Sequence, residues 1–353
     1  MFDLRYTNDI VLLIWIGLVA FFCGNAKKKR VTILGQEEER YTLPFAIIVF
    51  FPIFWFVITV IPRSDMWLYI SGFKSFNQSI FEVLENWNSF DKGPGFLLIE
   101  STMKAVGITG ETGFRVVIAL LQSIPLVYVY WKYSEDYVYS IFLFIATLSY
   151  DGWMMNGIRQ FLAACIVFAA FPFFLKRRYI PTLLFVLIAI SIHSSAIVMI
   201  PVLLISQFKP WSKITIILIF GFGAVLFFYI YNSNWLSEET LQKSTGSNPL
   251  GILFRAVPAV IAFIGRKQIA AKQNRLLNIC VNISVITIVM NVVASMTSGV
   301  MAGRLAGYTT IFSYILLPYL LKKTFNEAIS KNLFVSVTIY YVLSFVIKLY
   351  FFR

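Results

Sequence analysis

The chain has 353 residues, of which 59% are hydrophobic and only 13% are charged, and its mean hydropathy is +0.77. A soluble core could not hide this much apolar surface, so the composition indicates an all-α polytopic integral membrane protein. The net charge of +13 does not indicate nucleic-acid binding, because Lys and Arg cluster between the apolar runs, as the orientation of membrane helices requires.

Twelve apolar stretches are candidates for membrane-spanning helices, each of which needs about 20 apolar residues unless the helix is short or broken. They cover residues 10–24, 43–61, 114–131, 137–150, 157–175, 179–192, 195–207, 214–231, 251–265, 277–297, 305–321 and 332–350. With the amino terminus outside, the positive-inside rule places nearly every dense basic segment in the cytoplasm. These segments are Lys27–Arg40, Lys132, Lys176–Arg178, Lys209–Lys213, Arg266–Arg275 and Lys322–Lys331.

Two segments decide whether this topology holds. Residues 95–110 carry an acid and a lysine at helical i,i+4 spacing, and we interpret them as a re-entrant or interfacial helix on the outer face. Counting them as a span would place residues 176–178 outside. Residues 179–207 could form one long helix or two short ones that turn at His193. One long helix would expose the basic segment 266–275 outside, so the sequence favours the short hairpin, a geometry tolerated where helices line a polar cavity.

This topology gathers the polar residues of interest on the extracytoplasmic face. The two sizeable external loops are residues 62–95 and 232–250. The sequence shows no internal repeat, no low-complexity segment and no linker long enough to separate domains. Residues 1–353 are therefore predicted to form a single transmembrane domain whose functional face is outside.

The polar run Asn156-Gly157-Ile158-Arg159-Gln160 opens a long apolar helix. Arginine offers a planar fork of donors that suits phosphate, and a helix start adds unpaired N–H groups and a favourable dipole. The structural alternative is an arginine that snorkels to the lipid headgroups. Because Asn156 and Gln160 make a polar cluster that is unusual for a mere anchor, we favour phosphate binding by Arg159.

His193, the only histidine of the chain, stands at the predicted turn with Ser194 and Ser195. A lone histidine is more often a structural residue than a catalyst. Its titration near neutral pH still makes it a candidate base or hydrogen-bond donor. A metal site is not expected, because one histidine without Cys or carboxylate ligands at suitable spacing cannot build one.

Asp65 and Tyr69 follow the second apolar stretch at i,i+4 spacing, so they would share one face of a helix. The carboxylate could accept a proton from a sugar hydroxyl or hold a sugar by hydrogen bonds, with Trp67 or Tyr69 as a stacking platform. The structural alternative is an interfacial helix start with its usual aromatic belt. The sequence leaves both interpretations open.

Arg255 and Arg304 head the external ends of two late helices, and Tyr308 follows Arg304 by one helical turn. Together with Arg159 these arginines could neutralise a diphosphate, whereas singly each could anchor to lipid headgroups. No glycine-rich phosphate loop, nucleotide fold or metal signature occurs in the sequence. Any reaction would therefore use an activated substrate already in the membrane, and no cofactor is expected.

These motifs stand in one order over nearly the full length of the chain. The order is Arg63-x-Asp65-x-x-x-Tyr69, Asn156-Gly157-Ile158-Arg159-Gln160, His193-Ser194-Ser195-Ala196 and Gly303-Arg304 to Tyr308. In this order they resemble the EpsG-like family of Wzy-type exopolysaccharide polymerases. The pair Asn-Gly-x-Arg-Gln and His-x-Ser-Ala is the more specific part of the resemblance.

The resemblance implies a metal-independent membrane glycosyltransferase of the GT-C type. It would join undecaprenyl-diphosphate-linked oligosaccharide repeat units into exopolysaccharide, capsule or O-antigen at the outer face of the bacterial cytoplasmic membrane. The candidate residues are His193 and Asp65 for the acceptor proton, Arg159, Arg304 and Arg255 for the diphosphate, and Tyr69, Asn156, Gln160, Ser194 and Tyr308 for the substrate.

Two other functions stay open at this stage. A flippase for lipid-linked oligosaccharides would also be a helical membrane protein, but it should carry polar residues along many spans, whereas here polarity gathers at the outer ends. A ligase that transfers finished glycan to another acceptor would share nearly all of these features. The partners implied are the lipid-linked substrates, the bilayer, and a flippase and chain-length regulator of the same pathway.

Overall fold

The computed structural model describes residues 7–62, 65–88, 93–232, 249–297 and 301–351. Arg63, the first residue of the Asp65 motif, lies outside these described residues, as do residues 233–248 of the second predicted external loop. Within them the chain is almost entirely helical, which confirms the predicted class, and one two-stranded sheet is present.

The chain divides into two compact units. The first comprises Met1–Tyr133 and Tyr137–Ile197, and the second comprises Ser134–Asp136 and Val198–Arg353. The single transmembrane domain stays a prediction beside this division, and each unit is described by itself.

Ten α-helices and a β-hairpin make up the described part of the first unit. They are α1 (Thr7–Phe22), β1 (Lys28–Ile33), β2 (Gln36–Tyr41), α2 (Leu43–Thr59), α3 (Asp65–Ser75), α4 (Ile80–Glu85), α5 (Pro94–Ala105), α6 (Glu111–Tyr133), α7 (Tyr137–Ala146), α8 (Ile158–Ala169), α9 (Phe171–Leu175) and α10 (Tyr179–Ile192). Helix α8 packs against both α6 and α10, and nine of its 12 residues are buried. The Asn-Gly-Ile-Arg-Gln run therefore opens the central helix of this unit.

The β-hairpin was not predicted, because the sequence analysis treated its basic run only as a signal for orientation. Leu34 and Gly35 both have positive φ, 50° and 86°, which is the backbone of a tight two-residue hairpin turn. The turn aligns a basic strand with an acidic one, so that Arg30 lies opposite Glu39. Such cross-strand pairs of opposite charge stabilise a sheet modestly, by about 0.2–1 kcal/mol each.

Eight α-helices make up the described part of the second unit. They are α11 (Met199–Ser206), α12 (Lys213–Asn232), α13 (Pro249–Ile264), α14 (Arg266–Lys272), α15 (Arg275–Met296), α16 (Met301–Leu305), α17 (Gly307–Lys323) and α18 (Glu327–Phe351). Helix α15 is central here, since it packs against α11, α12, α13, α16 and α17. Two ion pairs, Asp136–Lys322 at 2.5 Å and Glu135–Lys323 at 2.9 Å, attach the short segment Ser134–Asp136 to the end of α17.

Six segments of the described chain are long and apolar enough to cross a membrane. They are Asn8–Asn25, Glu111–Tyr133, Ile158–Leu175, Lys213–Asn232, Arg275–Met296 and Glu327–Tyr350. A seventh would be the pair Tyr137–Ala146 and Tyr150–Asn156, which is bent by 75°. Shorter apolar helices cover Leu43–Thr59, Tyr179–Ile192, Ser194–Ser206 and Ile252–Ile264. The protein thus has the fold of a polytopic membrane protein, while the predicted count of twelve crossings and the GT-C architecture are not established by it.

Both helix interruptions that the topology requires fall close to their predicted places. Helix α5 occupies Pro94–Ala105 and is followed by a turn, as expected for a short separate helix. Helix α10 ends at Ile192, and His193 has an extended backbone with φ −149° and ψ 114°. A 3₁₀ turn over Ser194–Val198 and then α11 follow, so the break at His193 is confirmed.

The predicted orientation can be tested with single cysteines in a background that lacks Cys23, Cys165 and Cys280. Asn77 and Gln268 are both exposed, so a cysteine at either position should react wherever it is reachable. We expect an impermeant thiol reagent to label position 77 in intact cells, and position 268 only after permeabilisation. Labelling of position 268 in intact cells would contradict the hairpin at His193.

Candidate functional site

The start of α8 follows a wide, irregular turn of helix. Tyr150–Asn156 form a π-helical turn, a rare conformation that is frequent at functional sites. The turn is fixed at its first residue, where the buried Tyr150 hydroxyl donates to the buried carboxylate of Asp9 on α1. At its last residue, Asn156 Nδ2 donates to the Asp151 carbonyl at 3.2 Å. The segment before α8 is therefore a π-helical turn that is hydrogen-bonded at both ends, and not a regular α-helix.

Arg159, the second residue of α8, lies against two aromatic rings. Its Cζ is 5.8 Å from the ring centroid of Tyr69 on α3 and 5.9 Å from that of Phe96 on α5, within the range of cation–π attraction. Arg159 Nε also donates to the Tyr69 hydroxyl at 3.5 Å. The two rings meet edge to face with centroids 5.9 Å apart, so they hold one side of the guanidinium.

The remaining donors of Arg159 are not taken up by an acid. Within the described part of the chain no carboxylate lies in ion-pair distance of this guanidinium, and the side chain is partly exposed. No side chain caps the N-terminus of α8 either. A fork of donors beside uncapped backbone N–H groups is suited to bind an anionic group such as phosphate.

A chain of hydrogen bonds links the start of α8 to His193. Gln160 Nε2 donates to Ser195 Oγ at 3.3 Å, and Ser195 Oγ is 2.7 Å from His193 Nδ1. The bond through Nδ1 holds the imidazole ring in one orientation. In the tautomer whose Nδ1–H donates to Ser195 Oγ, Nε2 is unprotonated and can act as a base.

Two glycines bring α5 directly onto the end of α10, next to His193. A Cβ added at Gly93 would lie 2.6 Å from the Ser191 carbonyl oxygen, and one added at Gly95 would lie 2.9 Å from the Ser191 carbonyl carbon. Both glycines are therefore required by the close approach of the two backbones. This contact fixes the position of Phe96, and with it one of the two rings that Arg159 contacts, relative to the His193 turn.

Gly93→Ala or Gly95→Ala should destabilise the protein, because the obstacle at each position includes backbone that cannot rotate away. We expect the free energy of unfolding to fall by about 1–3 kcal/mol for either change, the usual range for overpacking. The midpoint of thermal unfolding in detergent measures it. Gly110→Ala is the matched control, since a Cβ at Gly110 meets nothing within 4 Å. Equal midpoints for all three variants would contradict the close approach.

Two buried polar residues on α6 hydrogen-bond to backbone carbonyls of neighbouring segments. Neither was predicted from the sequence. Gln122 Nε2 donates to the Ile158 carbonyl at 3.2 Å, which holds the first residue of α8. Two helical turns earlier, Arg115 donates to the carbonyls of Val57 and Val60 at the end of α2, at 2.7 and 2.5 Å. Their i,i+7 spacing places them on one face of an apolar helix, a signal that the sequence did carry.

The other candidate residues of the first unit lie as follows. Asp65 is the first residue of α3 and is partly exposed, one turn before Tyr69, as predicted. Ser194 is exposed at the start of the 3₁₀ turn, whereas its neighbour Ser195 makes the bond to His193. Ser195 is thus a site residue that the sequence analysis quoted but did not select. The roles of Asp65 and Ser194 stay predictions.

In the second unit, Arg255 belongs to a separate cationic cluster. Its Nη1 donates to Asn291 Oδ1 on α15. Lys348 on α18 lies 5.1 Å above the ring of Phe254, close enough to Arg255 for the two positive charges to repel. No carboxylate lies in ion-pair distance of either cation in the described part of the chain. Lys348 was not predicted, because a lysine near the end of a terminal span is usually an anchor.

Arg304 and Tyr308 lie on two different helices. Arg304 is exposed in α16, which ends at Leu305, and α17 begins at Gly307. Tyr308 is only 1% exposed, so the expected pairing on one continuous helix is not what the structure has. A sugar could reach Tyr308 only if its surroundings moved, and its role stays a prediction, as does that of Arg304.

No metal-binding group of three or more His, Cys, Asp or Glu side chains occurs among the residues that the structure describes. The polar arrangements described above consist of arginines, a lysine, amides, hydroxyls, one imidazole and the single carboxylates of Asp9 and Asp65. Such groups can bind phosphate and can take or give a proton.

The fold defines a polytopic helical membrane protein in which an arginine opens the central helix of one unit beside a hydrogen-bonded histidine. The model of the EpsG family matches residues 42–353, and the chain belongs to this family. Membership suggests a glycosyltransferase-type polymerase of exopolysaccharide synthesis. Searches of curated proteins and of solved structures gave no match.

Proposed function

We propose that this protein polymerises oligosaccharide repeat units linked to undecaprenyl diphosphate, at the outer face of the cytoplasmic membrane. Membership of the EpsG family supports the polymerase, and the apolar helices support its action on a lipid-linked substrate. The reaction proposed is metal-independent, with the lipid diphosphate as leaving group.

The observation that carries this proposal is the link between an anion-binding arginine and an oriented histidine. Arg159 offers donors to a phosphate, and its neighbour Gln160 reaches His193 through Ser195. A glycosyl transfer needs both functions close together, because the leaving group gains negative charge while the acceptor loses a proton.

In the proposed step a hydroxyl of the acceptor repeat unit attacks the anomeric carbon of the donor chain. The new C–O bond forms as the bond from that carbon to the diphosphate oxygen breaks, and the diphosphate leaves with the electron pair. Arg159 stabilises the developing charge on the diphosphate. The acceptor proton goes to His193 Nε2, or in the alternative scheme to Asp65, and the other residue then orients the acceptor sugar.

Tyr69, Asn156 and Gln160 would surround the substrate in this scheme. Tyr69 is already ordered by Arg159 and Phe96, so it could offer its hydroxyl to a sugar. We further propose that Arg255, together with Lys348, and Arg304 bind phosphate groups of the lipid-linked substrates. Two cations near each other without an acid favour an anionic ligand, since otherwise their repulsion is uncompensated.

Incubation of the purified protein with lipid-diphosphate-linked repeat units tests the proposal. We expect a ladder of products that differ by one repeat unit. Substrate that stays unchanged in length would contradict a polymerase and favour transport. A single transfer to a different added acceptor, without a ladder, would favour a ligase.

A further inference from the structure

A second candidate binding site lies in the other unit, among helix ends that the proposed glycosyl transfer does not use. A cavity of about 380 Å³ opens where α11, α13 and α14 end and where α12 and α15 begin. Its lining includes Lys209, Trp211 and Arg266, with the amide side chains of Gln207, Gln273 and Asn278. The volume is in the range of small-molecule sites.

The chemistry of this cavity is that of an anion site. Its lining contains two cations, three amides and an indole, and none of its lining residues is an acid. Trp211 Nε1 is buried and has no hydrogen-bond acceptor among the described residues. A buried N–H without a partner is unfavourable, so a ligand oxygen at this position would be bound favourably.

The backbone is strained at two residues that line the cavity. Lys209–Ser212 form a turn closed by the Ser212 N–H and the Lys209 carbonyl at 3.3 Å, with Pro210 second and Trp211 third. Trp211 has φ 62°, in a position that normally takes glycine. Gln273 has φ 46°, and these two are the non-glycine residues with positive φ in the described part of this unit. Strain of this kind tends to persist at binding sites.

One aromatic ring holds the two principal donors together. The Arg266 Cζ is 4.5 Å from the centroid of Phe263, and the Trp211 ring meets the same ring edge to face at 5.1 Å. The basic charge of these segments is explained by the orientation of the helices alone. Helix orientation does not explain the indole N–H without a partner or the strained backbone of Trp211, because neither affects orientation.

The neighbouring surface points to a lipid as the source of the anion. Leu204, Phe208 and Ile264 are 58%, 43% and 61% exposed beside the cavity, so acyl chains could cover them. We propose that the cavity binds the phosphate headgroup of an anionic membrane lipid, with Lys209 and Arg266 neutralising the phosphate and Trp211 Nε1–H donating to one of its oxygens. Basic pockets between membrane helices are suited to such headgroups.

Thermal unfolding of the delipidated protein in detergent tests this site, using phosphatidylglycerol as the probe. We expect the midpoint to rise by on the order of 5 °C when the lipid is present at about 100 times its Kd, and phosphatidylcholine to have little effect. Lys209→Gln with Arg266→Gln should lose most of the rise. Lys267→Gln is the matched control, because Lys267 adjoins Arg266 but does not line the cavity.

Trp211→Phe provides a second, milder variant that keeps an aromatic ring and removes the indole N–H. This variant should bind the lipid about tenfold more weakly, as expected for the loss of one hydrogen bond to a charged group. The rise in the unfolding midpoint should therefore be smaller. An equal rise with phosphatidylcholine, or an equal loss in Lys267→Gln and the double variant, would overturn the proposal. The same rise with glycerol 3-phosphate at equal concentration would overturn the lipid as the source and assign the site to a soluble phosphate ester.

Discussion

Arg159→Ala should lose polymer formation while the protein still inserts and folds. The guanidinium packs against Tyr69 and Phe96 and is the cation at the start of the central helix α8. If it stabilises the leaving diphosphate, its removal should slow turnover by on the order of 10²–10³-fold, the cost of losing one such donor. The rate of ladder formation on a defined lipid-linked substrate measures the loss.

Two further variants separate the role of the fork from that of the charge. Arg159→Lys keeps the charge but loses the bidentate geometry, so it should retain little activity. Arg178→Ala is the control, because it removes an exposed arginine that follows the α8 and α9 segment at its far end. Near-normal polymer from Arg159→Ala would reduce this residue to a lipid anchor.

His193→Ala should slow turnover by on the order of 10²–10⁴-fold if the imidazole takes the acceptor proton. The wild-type rate should then fall as the pH is lowered, because protonated imidazole cannot accept a proton. If Asp65 is the base, Asp65→Asn should be the more damaging change. Comparing pH–rate profiles of the wild type and both variants distinguishes the two schemes.

The adjacent serines supply an internal control for the histidine. Ser195→Ala removes the partner of His193 Nδ1, so we expect a loss of about tenfold through a less well oriented ring. Ser194→Ala changes an exposed side chain. If the predicted contact of Ser194 to the substrate is weak, this variant should lose less activity than Ser195→Ala. Near-normal turnover in both His193→Ala and Asp65→Asn would contradict the acid–base scheme altogether.

The helices of this protein could be predicted because a segment that spans a bilayer has to be apolar over most of its length. Apolar runs must be helical in lipid, where every backbone group has to be bonded within the segment. The break at His193 was also predictable, since charge on the flanking loops requires the chain to turn there. The arginine and histidine motifs were found for the same reason, because polar groups at the ends of apolar runs are conspicuous.

Features that depend on packing could not be predicted in the same way. The π-helical turn before α8 follows a positive φ at Leu148. Its first residue, Tyr150, bonds to Asp9, which is far away in the sequence. The close approach of Gly93 to the end of α10 also needs the tertiary fold. By contrast, the hairpin turn at Leu34-Gly35 and the Arg115 and Gln122 face of α6 left signals in the sequence that were given no structural meaning.

We propose that this chain itself catalyses transfer from a lipid diphosphate. The most direct test counts two products together, using purified wild-type protein and a defined lipid-linked repeat unit. The account predicts one lipid diphosphate released for each glycosidic bond formed, with both products lost together in Arg159→Ala. Polymer that grows without release of lipid diphosphate, or a purified protein that forms neither product, would contradict it.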